Sequence, residues 1–229
     1  MAGLGAGIGT RIGTGLGARI GTWYEGHIFP LLLRMADGAV TTERQTLLAQ
    51  CNGLVLEVGI GTGLSAPFYP ESVTQVVGIE PNEALLEDCE INITNAQLEH
   101  LELPAFKIQA GDAQNLKFED NSFDTAVAFL VFCTIPDPKK AAMELFRVLK
   151  PGGQLLFFEH VVAEKASTAR WQARLNPYWS KVACGCHLDR DTTRVFEEAG
   201  FEFDEFRKYH LPRAPGIVST VIQVRGIKR

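Results

Sequence analysis

From residue 41 to the C-terminus, short apolar runs alternate with longer stretches of mixed polarity. Apolar runs at 54–58, 73–80, 106–110, 123–132 and 154–159 are rich in Val, Ile, Leu and Phe, and read as strands. The fourth is nearly all apolar, as a central parallel strand covered on both faces should be. Helices are expected at 41–50, with Thr42 and Gln45 spaced as a capping box, and at 83–101, 141–149 and 191–199, the last closed by Gly200. Lys150-Pro151-Gly152-Gly153 breaks the third of these, and two further strands, 201–209 and 217–224, end the chain as an antiparallel pair. Strands alternating with helices predict an α/β fold, a doubly wound and mostly parallel sheet of seven strands.

The first 22 residues follow a different rule. A four-residue repeat starts at Ile8 and, as a helix, would stack Ile8, Ile12, Leu16 and Ile20 beside Gly5, Gly9, Gly13, Gly17 and Gly21. That is the close-packing spacing of helices in membranes. Three readings stand open for this Gly-rich arm: a membrane-surface anchor or self-association arm, a targeting presequence, or a flexible tail, since each Gly costs ~1 kcal/mol inside a helix in water. Arg11 and Arg19 weigh against a simple transmembrane span. The apolar stretch 23–35 reads as helical on either side of Pro30, either capping a ligand pocket or covering a sheet edge. The expected division is therefore an arm and cap at 1–40 and one domain at 41–229.

Candidate chemistry concentrates where the first strand ends. Glu57-Val58-Gly59-Ile60-Gly61-Thr62-Gly63 carries glycines at alternate positions, which let the chain bend and a ligand lie against the main chain. A helix starting within 64–69 would then aim its free N–H groups at that ligand. Leu64 occupies the place of the third glycine of a dinucleotide fingerprint, and no G-K-[ST] follows, so neither NAD nor a nucleoside triphosphate suits the bend. Glu57 would repel a pyrophosphate but accept, directly or through water, from an ammonium group. Glu80, at the end of the second strand, is placed for ribose hydroxyls. Asp112 and the Ala113 amide, after the third, are placed for an adenine edge. Adenosine joined to an ammonium without phosphates describes S-adenosyl-L-methionine.

A net charge of −5 gives no basis for nucleic-acid binding, and five scattered cysteines read as a reduced, cytoplasmic setting, with the arm offering a membrane surface. Cys184-Gly185-Cys186-His187 lacks the second ligand pair that a local zinc motif needs, so no metal is expected. Trp171, Leu175, Tyr178 and Trp179 recur at near-helical spacing and read as an apolar lid or an outer helix.

Taken together, the Glu-x-Gly-x-Gly-x-Gly bend, the acid after strand two, Gly111-Asp112-Ala113 and Arg147-Val148-Leu149-Lys150-Pro151-Gly152-Gly153 resemble the class I S-adenosylmethionine-dependent methyltransferases over residues 41–229. The resemblance implies a Rossmann-like sheet with its last strand antiparallel. It also implies cofactor contacts at Glu57, Gly59, Gly61 and Gly63 for the methionine end, Glu80 for the ribose, Asp112 and Ala113 for the adenine, and the backbone near Phe129. Further on, Glu159-His160-Val161, Trp171-Gln172, Asn176-Pro177-Tyr178-Trp179, Gly185-Cys186-His187-Leu188 and Asp191-Thr192 are similar to the methyltransferase-like thiol methyltransferases. Members of that branch methylate alkyl thiols and carry strongly apolar N-terminal anchors, from which the Gly-Ile-Thr repeat departs. Bacterial phospholipid N-methyltransferases share the motif Gly-Thr-Gly-Leu-Ser-x-Pro-x-Tyr. The expected activity is methyl transfer to a small, fairly apolar acceptor, a thiol first and an amine second, with a non-catalytic cofactor-binding protein as the rival. A thiol acceptor needs deprotonation, for which His160 and His187 are the candidate bases.

Overall fold

The computed structural model describes residue 38 and residues 40–229 other than 101, 184 and 213. The expected N-terminal arm, with the apolar stretch 23–35, lies outside these residues. Strands β1 (Gly53–Val58), β2 (Val73–Glu80), β3 (Ala105–Ala110), β4 (Phe123–Phe129), β5 (Leu149–His160), β6 (Glu202–His210) and β7 (Thr220–Ile227) form one sheet in the order β3-β2-β1-β4-β5-β7-β6. The first five run parallel, while β7 pairs antiparallel with both β5 and β6. Helices α1 (Thr41–Leu48), α2 (Glu83–Glu99), α3 (Pro138–Val148), α4 (Ala166–Val182) and α5 (Thr192–Ala199) complete the architecture.

The continuous apolar runs are explained by two cores, one on each face of the sheet. Leu56, Val58, Ala126, Ala128, Leu155 and Phe157 belong to one, with Phe196 of α5. Their neighbours along the strands, Val55, Val127, Leu156 and Phe158, belong to the other, with Leu47 and Leu48 of α1. Successive residues of a strand point to opposite faces, so a sheet covered on both sides must be apolar throughout. From β1 the chain builds outward through β2 to β3, then returns to place β4 on the other flank of β1. That reversal opens a crevice at the carboxyl ends of β1 and β4, where ligands bind in such sheets.

Local chemistry sets the boundaries. Asn82 Oδ1 caps α2 by accepting from the Ala84 N–H at 3.1 Å, and Asp137 and Asp191 cap α3 and α5 in the same manner. Gly200 ends α5 at φ +106°. Four expectations are corrected. The helix expected within 64–69 is a single 3₁₀ turn, Ala66–Phe68. Pro70 forces Tyr69 into an extended conformation (ψ 129°), which stops any helix there. α1 starts from Val40 without a side-chain cap, so no Thr42–Gln45 box forms. β4 ends at Phe129, because Leu130 turns the chain at φ +54°. The segment expected only to break a helix instead begins β5, with a register shift that Gly152 at φ +79° accommodates.

At the opposite end of the crevice strands, Asp124 fastens three of them. Its carboxylate accepts from the Leu54 N–H of β1 at 2.8 Å and from Lys150 Nζ of β5 at 2.6 Å. Among the described residues, no helix is long and apolar enough to cross a membrane.

Candidate cofactor and acceptor site

The three glycines after β1 all have positive φ, between +58° and +76°, but they serve different ends. A Cβ on Gly59 would lie 2.3 Å from Val131 Cγ2, and one on Gly63 would lie 3.0 Å from Cys89 Sγ. Those two positions are glycine because protein packs against them. At Gly61 the nearest atom to a Cβ would be the Gly59 carbonyl oxygen at 3.9 Å. Gly61 is therefore the position where open space meets bare main chain.

Glu57 lies beneath the bend and is 2% exposed. Ser65 Oγ donates to its Oε1 at 2.6 Å and the Tyr69 hydroxyl to its Oε2 at 2.8 Å. The short turn after the bend thus supplies two hydroxyls to a buried acid, and the carboxylate charges the floor of the crevice rather than projecting into it. Burial raises the Glu57 carboxyl above its ordinary value; the bonds from Ser65 and Tyr69 and the Arg44 charge work against that rise. Residues 57–69 contain no Lys or Arg, so the cation acting on this acid comes from α1, as Arg44.

Glu80 joins the bend to the end of β2. Its Oε2 accepts from the Gly61 N–H at 3.2 Å and its Oε1 from the Asn82 N–H at 3.1 Å. Burial lifts its carboxyl, against the pull of those two amides. A carboxylate has about four acceptor sites, so both oxygens can still accept from a ligand. Beside it a cavity of about 220 Å³ is lined by Ile79, Gly111, Asp112, Asn115, Leu116 and Phe118, among others. Asp112 makes an Asx turn, accepting from the Gln114 N–H at 2.8 Å. Ala113 packs partly buried against the apolar core. Phe129 stacks on Phe158, with the Arg44 guanidinium 4.4 Å from its ring centre.

At the carboxyl rim of β4 and β5, sequence reasoning singled out His160 and the Phe129 backbone but gave Glu159 no role. Glu159 is fully buried, and its Oε1 accepts from the Val131 and Phe132 N–H groups, each at 2.7 Å. It thereby holds the turn that begins at Leu130 and presses Val131 on Gly59. Burial pushes its carboxyl up to about 7, although His160 and the two N–H groups oppose the shift. The signal for Glu159 was present, since it is an acid near the carboxyl end of a strand, like Glu80.

The two candidate bases are both engaged. His160 Nε2 lies 3.0 Å from Cys186 Sγ, which also accepts from Trp179 Nε1 at 3.2 Å. The nearby Cys133 thiol and the His160 ring lower the Cys186 thiol below its ordinary value, against the effect of burial. Burial alone would lower His160, but the sulfur beside it raises it overall. His187 Nδ1 receives the Asn176 amide at 3.1 Å. Asn176 Oδ1 accepts from the Leu188 N–H, which orients that amide and leaves the proton of a neutral His187 ring on Nε2. The expected apolar lid is a continuous helix, α4, with Pro177 inside it. Trp171 and Tyr178 are exposed on it, while Gln172 is buried and Trp179 turns to Cys186.

The acid-floored bend, the open face of Gly61 and the cavity at Asp112 fit S-adenosylmethionine: a cationic amino acid end, a ribose diol and a base, with no phosphate. Comparison with known proteins agrees. A methyltransferase-domain family model matches residues 56–157. Thiol S-methyltransferase TMT1B of Rattus norvegicus is 39% identical over 151 residues, 64% of this chain and 59% of that protein. The Homo sapiens TMT1B is 31% identical over 187 residues, covering 78% and 75%. Phosphatidylethanolamine N-methyltransferase of Cereibacter sphaeroides is 31% identical over 171 residues, covering 75% and 79%. A solved structure from Bacillus halodurans C-125 superposes with a TM-score of 0.64 at 22% identity, over 82% of this chain and 97% of that one, which speaks to the fold alone. The chain belongs to the class I S-adenosylmethionine-dependent methyltransferases. Within that class it is related to the thiol S-methyltransferases TMT1A and TMT1B.

Proposed function

We propose that this protein methylates a small, fairly apolar acceptor, with an alkyl thiol as the first class and a phospholipid amine as the second. The observation that carries the cofactor half is the bend itself, where a buried acid underlies a glycine whose open face admits a ligand to the main chain. Glu57 would set the potential for the ammonium end, Gly61 would take the close approach, Glu80 would accept from the ribose, and Asp112 with the Ala113 amide would meet the adenine. Gly59, Gly63 and the Phe129 backbone would hold the shape of the crevice. The cofactor supplies a methyl group already activated on a sulfonium. The protein's task is then alignment, which can lower a barrier by roughly 7–11 kcal/mol.

Thiol over amine is favoured by the TMT1B relatives, while the Cereibacter sphaeroides enzyme keeps the amine lipid as the second reading. Since His160 Nε2 faces Cys186 and His187 Nδ1 is held by Asn176, we assign neither as the base. The nucleophile is the ionised fraction of the acceptor, a few per cent for a thiol of pKa about 8.5 near neutral pH. Incubating the protein with methyl-labelled S-adenosylmethionine and matched alkyl thiols, amines and phenols tests the reading. Label should pass to the thiols first. Transfer to none of them despite cofactor binding would favour a non-catalytic binder.

A further inference from the structure

Cys133, His160 and Cys186 come from three separate places: the turn after β4, the last residue of β5, and the loop between α4 and α5. Their donor atoms nonetheless all lie within 4.8 Å of one another, and His160 Nε2 and Cys186 Sγ are 3.0 Å apart. Both thiols are buried. The surrounding contacts fix this convergence. The His187 N–H donates to the Cys133 carbonyl at 2.9 Å, closing one loop on the other. Arg190 donates to the Phe132 and Ile135 carbonyls from the same loop, and the Trp179 indole N–H points at Cys186 Sγ.

We propose that Cys133, His160 and Cys186 form a binding site for a thiophilic divalent metal ion of the zinc class, with a fourth coordination position left open. Zinc takes thiolate and imidazole ligands tetrahedrally, at about 2.3 Å to sulfur and 2.0 Å to nitrogen, which spaces the ligand atoms roughly 3.5–3.8 Å apart. The observed separations, from 3.0 Å to no more than 4.8 Å, bracket that spacing. Adjustments of about half an ångström to an ångström would seat an ion. Two thiolates and one imidazole are a soft donor set that discriminates against magnesium and calcium. The Trp179 N–H is placed as an outer hydrogen bond to a metal thiolate, the kind of contact that orients a ligand. A Cys133–Cys186 disulfide would use the same two sulfurs but leave His160 and Trp179 facing neutral sulfur. The site differs from the local Cys184-Gly185-Cys186-His187 motif, because His187 Nδ1 is taken by Asn176 and the other two ligands arrive from the turn after β4 and the end of β5. It stands whether or not the acceptor is a thiol.

The test uses the full chain, purified with reductant, stripped with a chelator and titrated with Zn²⁺ and, separately, Co²⁺. Binding should saturate at about one equivalent per chain, and cobalt should show tetrahedral ligand-field bands with thiolate charge transfer. C133S, H160A and C186S should each weaken zinc binding by 100-fold or more. W179F should weaken it by about ten-fold, and C184S should leave it unchanged. If the ligand variants fail to fold, the cobalt titration of the unaltered chain decides alone. Absence of a thiolate–cobalt band there, or equal loss in C184S and C186S, would each overturn the proposal.

Discussion

The Gly61 N–H donates to Glu80 Oε2 at 3.2 Å, tying the bend after β1 to the end of β2. Nineteen residues separate the pair, and the bond makes the acid proposed to accept from the ribose also a brace for the glycine proposed to admit the ligand. If Glu80 meets the ribose as proposed, cofactor affinity and the shape of the bend would be coupled through this one carboxylate.

Glu80→Ala should therefore weaken S-adenosylmethionine binding by ten-fold or more in calorimetry. Two hydrogen bonds to a charged acceptor contribute about 1.5–3 kcal/mol each. Glu80→Gln, which retains one acceptor oxygen, should fall between. Unchanged affinity in Glu80→Ala would remove Glu80 from the ribose.

Gly59→Ala and Gly61→Ala should separate packing from ligand approach. Both pay roughly 1–2 kcal/mol for a left-handed backbone. Gly59→Ala adds a 2.3 Å collision with Val131, so its melting temperature should fall further. Gly61→Ala, which meets only open space, should melt closer to the unaltered protein yet lose more cofactor affinity relative to its stability loss. The reverse ordering would mean the ligand does not lie against Gly61.

Stability should depend on pH through Asp124. Burial would raise its carboxyl, but Lys150 and the Leu54 N–H hold it below its ordinary 3.8. A carboxyl depressed in the folded state stabilises above its unfolded value, and the effect fades as pH falls through the folded one. Asp124→Asn should cost about 1 kcal/mol near neutral pH, since the pair is part-exposed and screened. The gap from the unaltered protein should close below about pH 4 in denaturant titrations. A gap that stays constant to acid pH would show that the ion pair contributes nothing.

With no assigned base, kcat/KM across alkyl thiols should follow the acceptor's own ionisation. A thiol of lower pKa should reach its plateau at correspondingly lower pH. A profile whose inflection stays fixed while the acceptor changes would instead identify a protein group as the base.

Much of the scaffold was legible because continuous Val, Leu and Phe runs in a 229-residue chain leave few alternatives to a sheet covered on both faces. Asn82, Asp191 and Gly200 mark helix ends by side-chain and backbone chemistry that acts within a few residues, whereas the helix expected from 141 starts at Pro138, behind the cap Asp137. What escaped depended on longer reach. Nothing local to Leu130 announces φ +54°, which arises where Glu159, 28 residues after Val131, claims the next two amides. The partners of Glu57 within the protein escaped too: Pro70 shortens the following helix to one turn, and that turn returns Ser65 and Tyr69 to the acid. Cys133 and Cys186 drew no notice as a pair because only the tertiary fold brings them to His160.

A structure of the protein with S-adenosylhomocysteine bound would test the central assignment most directly. The amino acid end should lie in the bend at Gly59–Gly63 above Glu57, with the ribose hydroxyls on Glu80. A ligand bound elsewhere with the bend vacant, or a nucleotide pyrophosphate seated in it, would contradict the account.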